Sequence, residues 1–231
     1  MFTAKFIKNI LFNGMTVRAL GRSGIPTRVF VEQGDLDGSC AVYSLMMMLI
    51  LHQKLDWEDL IDKGRAKENA FVESIQRHFL FGFNGYYRGG HTLNSISNRL
   101  NQCFGEKLSV AFTTKPGKNN SISRRRLHQK IRAQLDSKKP VLLGYHGEGG
   151  KGHALVAIGY KRESRDRLRL FCLDPSQRIP FMSIWNNVID LDYLTCIDWN
   201  YTDLNFSQNS EVCVDGILII YDKPLEIYCP F

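Results

Sequence analysis

No two of the six cysteines form a C-x-x-C pair, which argues against zinc ribbons and dithiol redox sites. No apolar run reaches the ~18 residues of a membrane span; the longest, Ala41 to Leu51, is short and interrupted by Ser44. The N-terminal "MFTAKFIKNILFNGM" does not read as a secretory signal, because Lys5 and Lys8 break its apolar stretch and no small-residue cleavage site follows. RNP and zinc-finger patterns are missing, and there are no internal repeats, low-complexity segments or linkers. These absences predict a chain in a reducing compartment, cytoplasmic or exported without a recognisable signal, with no membrane span and no nucleic-acid partner.

What is present suits one globular domain spanning 1–231, since 231 residues at 44% hydrophobic can bury a sizeable core. Much of the net charge of +7 lies in "SISRRRLHQKIRAQLDSKK", Ser121 to Lys139. Ile122, Leu127, Ile131 and Leu135 line one face there. Arg124, Arg125, Lys130 and Arg132 surround it, a pattern of a solvated helix face without the interleaved aromatics of a nucleic-acid footprint.

Along the chain, Phe2, Phe6 and Ile10 suggest an amphipathic turn or two in an otherwise irregular start through Pro26. The run behind Cys40 reads as a helix buried on all sides. A second helical segment is expected over 57–81 with Asp56 as its cap, and a third opens at His91 or Thr92. The period then changes. "KLSVAFTT", "PVLLGYH", "HALVAIGYK", "RLRLFCLD" and "VDGILIIYD" read as strands, and the short turns between the middle three call for an antiparallel sheet. Helices first and strands second is an α+β order, with a helical half at about 1–105 and a sheet half at about 106–231.

Three short stretches carry candidate chemistry. In "QGDLDGSCAVYS", Gly38 and Ser39 leave room for a substrate backbone, Asp37 or Ser39 can cap the helix, and Cys40 falls in its first turn. Unsatisfied N–H groups and the helix dipole favour a thiolate there. In "GEGGKGHALVAIGY", a glycine-rich turn with no G-K-[ST] delivers His153 to a strand mouth, flanked by Gly152 and Ala154. In "LRLFCLDPSQ", Asp174 ends the next strand before Pro175, where a carboxylate can orient an imidazole. Taken singly, each also fits a structural role.

Together, cysteine at a helix start, histidine at a strand mouth and acid at the end of the next strand resemble the papain-like cysteine peptidase superfamily. "KPVLLGYHGEGGKGHALVAIGY…LFCLDP" is most similar to its bacterial bacteriocin-leader-processing and staphopain-like branches. The likeness runs from about Val31 to Asp174. It implies a papain-like fold, a central buried helix packed on a C-terminal antiparallel sheet, and a thiol peptidase that needs no metal or cofactor and acts on a peptide or protein. By the same resemblance Cys40 is the nucleophile, His153 the base and then acid, Asp174 the orienting group, and Gln33 an oxyanion-hole donor with the Cys40 N–H. Gly38, Ser39 and Gly152 would face substrate. Six residues separate Gln33 from Cys40, one more than the family's usual loop, and Asp stands where the plant enzymes have asparagine. The tryptophan that follows the plant nucleophile is replaced by Ala41. The alternatives are a deamidase, transglutaminase or other acyltransferase on the same residues, or a non-catalytic peptide-binding module.

Of the six cysteines, Cys40 alone is expected to react with iodoacetamide near neutral pH in the folded protein. Mass mapping checks this; labelling of Cys103 or Cys196 with Cys40 untouched would remove the assignment.

Overall fold

The computed structural model describes residues 3–33, 39–62, 69–81, 91–114, 121–147, 150, 152–178, 183–192, 198–201 and 209–222. Its first long element is the helix α1 (Cys40–Leu51), nine of whose residues are buried. The reason is compositional: a helix apolar all round has no face to give to water, so both its sides must be covered. Ser44 is the polar exception. It is fully buried, and its hydroxyl donates to the Ala154 carbonyl at 3.0 Å, as a buried hydroxyl must.

Ala154 belongs to β7 (Gly152–Arg162), which with β6 (Val141–Gly147), β8 (Arg167–Leu173), β9 (Asn187–Asp192), β10 (Asp198–Tyr201) and β11 (Asn209–Asp222) builds the main sheet. Every pairing is antiparallel. Because β6 pairs with both β7 and β11, and β7 also pairs with β8, the six strands close into a barrel-like ring. Closure removes the open edges. With helix α1 packed against β7, both faces of that strand are covered, so Leu155, Val156, Ala157 and Ile158 are buried in succession, where a sheet open on one face would alternate. β5 (Leu108–Thr114) adds to β11 and β1 (Lys5–Phe6) adds to β7. The basic segment forms a helix, Ser121–Asp136, with Leu127, Ile131 and Leu135 buried and Arg125, Lys130 and Arg132 exposed.

The N-terminal segment departs from the expected helical turns. Besides β1, it forms a three-stranded antiparallel sheet, β2 (Ile10–Phe12), β3 (Val17–Leu20) and β4 (Pro26–Arg28). The cause is the Asn13–Gly14 pair. The Asn13 side chain accepts from the Met15 and Thr16 N–H groups at 3.1 and 2.9 Å, and Gly14 takes a φ of +84°, conditions that turn a chain back on itself. Phe6 stacks on Trp185 and Phe171 instead of on a helical neighbour.

The expected helix over 57–81 is also divided. A single turn, α2 (Glu58–Ile61), ends at Asp62 in extended conformation. A separate helix, α3 (Ala70–Ile75), starts behind Asn69, which caps it by accepting from the Phe71 and Val72 N–H groups. Asp56 does not cap; it is buried and accepts from the Ser23 N–H and hydroxyl. Thr92 does cap α4 (Leu93–Phe104), whose Leu93, Ile96 and Leu100 are buried. Strands β9 and β10 carry too many polar residues for their periodicity to stand out. The glycine- and aromatic-rich stretch 83–90 lies outside the described residues, and no described helix is long and apolar enough to cross a membrane.

A methyl group on Gly159 would lie 2.4 Å from Phe6 Cδ1 and 2.6 Å from the Lys5 carbonyl oxygen, whereas one on Gly152 would meet nothing within 4 Å. Gly159→Ala must therefore displace β1 and is expected to destabilise the fold by about 1–3 kcal/mol. Gly152→Ala should leave the melting temperature unchanged. Thermal unfolding of the two variants side by side checks the contrast.

Candidate active site

Helix α1 begins at Cys40. Ser39, its N-cap residue, accepts the Val42 and Tyr43 N–H groups at 2.9 and 3.1 Å through its carbonyl. Cys40 is half-buried with a free thiol. Ser39 is fully buried, so it serves the helix start and does not line an open surface. Gly38 lies outside the described residues.

His153 is the second residue of β7, opposite Tyr145 of β6. Its ring is hydrogen-bonded to Asp174, with Nε2 2.7 Å from Oδ1, and Cys40 is near enough to act on the charge of the ring. The structure therefore gathers Cys40, His153 and Asp174 in one place, although 113 positions separate the first two (153 − 40). Asp174 is 1% exposed and the His153 side chain 19%, so the carboxylate sits behind the ring and only the ring reaches solvent. Gly152 beside it is exposed, with open space above its Cα.

Burial alone would discharge the imidazole. The hydrogen bonds and charges of Asp174 and Cys40 outweigh that and raise its pKa from 6.5 to about 10. Burial likewise opposes the Asp174 charge, but the His153 hydrogen bond and charge, then the two bonds from Ser176, hold the carboxyl below its ordinary value. Ser176 donates from both its N–H, at 2.9 Å, and its hydroxyl, at 2.8 Å, to Oδ1. Gln33 is placed by its backbone: its N–H donates to the Pro175 carbonyl at 2.8 Å, fastening the segment before Cys40 to the turn after Asp174.

No family model matches the chain, and no curated protein matches it in sequence. Among solved structures it is similar to UfSP from C. elegans, with a TM-score of 0.43 and 12% identity over 97% of this chain and 35% of that one. The chain thus spans about a third of that protein's length. At this distance neither activity nor residue roles transfer, and the functional reading rests on the geometry just described.

Three further neighbours of these residues carried no sequence expectation. Asn187 Nδ2 donates to Asp174 Oδ2 at 2.6 Å. Asn186 donates from Nδ2 to the Asp174 carbonyl at 2.9 Å and accepts the Asp174 N–H at 2.7 Å. Tyr145 sets its ring edge-on to His153 at 5.4 Å, and its hydroxyl accepts from Asn200 at 2.9 Å. Burial, then the charges of Asp174, Cys172 and Cys40, raise the Tyr145 pKa, so it stays a neutral phenol. The available signal was the tandem amide in "WNNVID", a polar pair opening an apolar run. A cavity of about 480 Å³ lined by Phe71, Ser74, Asn101, Cys103, Glu106 and Lys107 holds none of these residues. Among the described residues no cluster of three His, Cys, Asp or Glu could hold a metal.

Because the His153 pKa is raised on folding, the ring's contribution to stability is full below 6.5 and is lost as pH rises through about 10. Ring-proton NMR should show His153 still charged at pH ~8 in the wild type. In Asp174→Ala the ring should titrate at lower pH, since a raising hydrogen bond and charge are removed.

Proposed function

We propose that the chain is one papain-like domain, 1–231, that cleaves peptide bonds as a thiol peptidase. The observation that supports this is the gathering of a helix-start thiol, an imidazole and the buried carboxylate bonded to that imidazole. A thiolate beside an imidazolium is the activated form of this nucleophile.

In the proposed reaction the Cys40 sulfur attacks the scissile carbonyl and the C=O electrons move onto oxygen. The Cys40 N–H, directed out of the helix start, and the Gln33 side chain donate to that oxyanion. His153 passes its proton to the departing amine as the C–N bond breaks, leaving a thioester on Cys40. His153, now neutral, takes a proton from water, whose oxygen attacks the thioester; the carboxylic acid leaves and the thiolate–imidazolium pair is restored. Asp174 holds the ring through Nε2, which leaves Nδ1 to face the sulfur. Gly152 leaves the approach beside His153 open to an extended backbone. The substrate is a peptide or protein, and the reaction calls for no cofactor.

Cys40→Ala is expected to abolish turnover while the fold persists, because a half-buried residue at a helix start loses little packing. Asp174→Ala should retain the thiol but lose about 10²- to 10⁴-fold in rate. Both variants and the wild type are to be screened against a peptide library and a glutamine-plus-amine assay. Cys40-dependent cleavage supports the peptidase. Cys40-dependent ammonia release or amine incorporation without cleavage would assign the same residues to a deamidase or transglutaminase, and full activity in Cys40→Ala would move the nucleophile elsewhere.

A further inference from the structure

Asp174 shares its two oxygens unequally. Oδ1 takes His153 Nε2 and both Ser176 donors, while Oδ2 takes the Asn187 amide at 2.6 Å. Asn187 is fully buried, so water cannot stand in for it. A carboxylate only accepts, and a buried carboxylate oxygen deprived of its donor is costly. Such a carboxyl either takes up a proton or turns away. Ser176 is exposed, and solvent can replace its hydroxyl.

Asn187 is also rigidly mounted. It opens β9 in register with Cys172 of β8, so its side chain crosses from a paired strand to the point where β8 releases Asp174. Asn186, one residue before it, grips the Asp174 backbone from both sides. The orientation of the carboxylate is thereby set by the barrel wall as well as by the turn that carries it.

We propose that Asn187 is the positioning residue of this site, holding Asp174 ionised and turned so that Oδ1 meets His153. The assignment rests on the Cys40–His153–Asp174 reading above and adds a member that acts only through Asp174.

Two measurements test it. In Asn187→Leu, nearly isosteric but without a donor, the Asp174 carboxyl followed by carbon NMR should take its proton at higher pH than in the wild type, by about one unit or more. Asn187→Ala should shift it in the same direction, and melting curves show that each variant folds. In a double-mutant cycle on the rate of Cys40 alkylation, Asn187→Leu should alter the rate when Asp174 is present and leave it unchanged in Asp174→Ala. An unmoved carboxyl, or the same change in both backgrounds, would reduce Asn187 to ordinary packing and overturn the assignment while leaving the proposed activity intact. If Asp174→Ala itself alters neither the His153 titration nor the Cys40 alkylation, the activity reading falls first and Asn187 with it.

Discussion

The hydroxyl of Ser44 on the carbonyl of Ala154 links the two halves of the site. Ser44 stands one helical turn after Cys40, and Ala154 directly follows His153. Hydrophobic burial is non-directional and by itself gives an apolar helix no preferred register on an apolar wall. A buried hydroxyl has one. Shifting α1 along β7 would strand that group at a cost of about 1–3 kcal/mol. This polar contact inside the core helps to fix where the start of α1, with its thiol, stands against the start of β7, with its imidazole.

The second constraint is electrostatic. A carboxylate as buried as Asp174 has to be surrounded by donors, and the barrel provides them from three places: His153 on β7, Ser176 in the following turn and Asn187 on β9. None of these residues is near Asp174 and His153 at once in an unfolded chain. Only when β8 lies between β7 and β9 do the donors converge, so the charge of the site is coupled to closure of the sheet. The same coupling holds His153 charged in a position where burial alone would neutralise it. Gln33 extends the arrangement, since its bond to Pro175 joins the segment before the nucleophile to the segment after the carboxylate.

Strong local patterns were legible in the chain itself. The apolar run after Cys40 read as a buried helix, the short apolar runs after Val141 bounded by glycine and charged turns read as strands, and the Thr92 cap announced its helix. The order of Cys40, His153 and Asp174 was readable because each sits at the end of such a segment. The Asn13–Gly14 turn was written there too, but the four-residue spacing of Phe2, Phe6 and Ile10 pointed to a helix, and pairing with β7 and β3 decided otherwise.

Closure of the barrel, the division of 57–81 and the residues around Asp174 were decided by tertiary structure. Local periodicity reports which face of a segment meets the core, and it carries no information on which distant strand lies alongside. Asn187 and Tyr145 gain their meaning from neighbours 13 and eight positions away (187 − 174 and 153 − 145), reached across strands and not along them. Sequence by itself determined the strongly patterned elements and the types of reactive group. The three-dimensional pairing of strands determined which polar groups face a buried charge, because a charge in a low-dielectric interior is stable only where its hydrogen-bond partners converge in space.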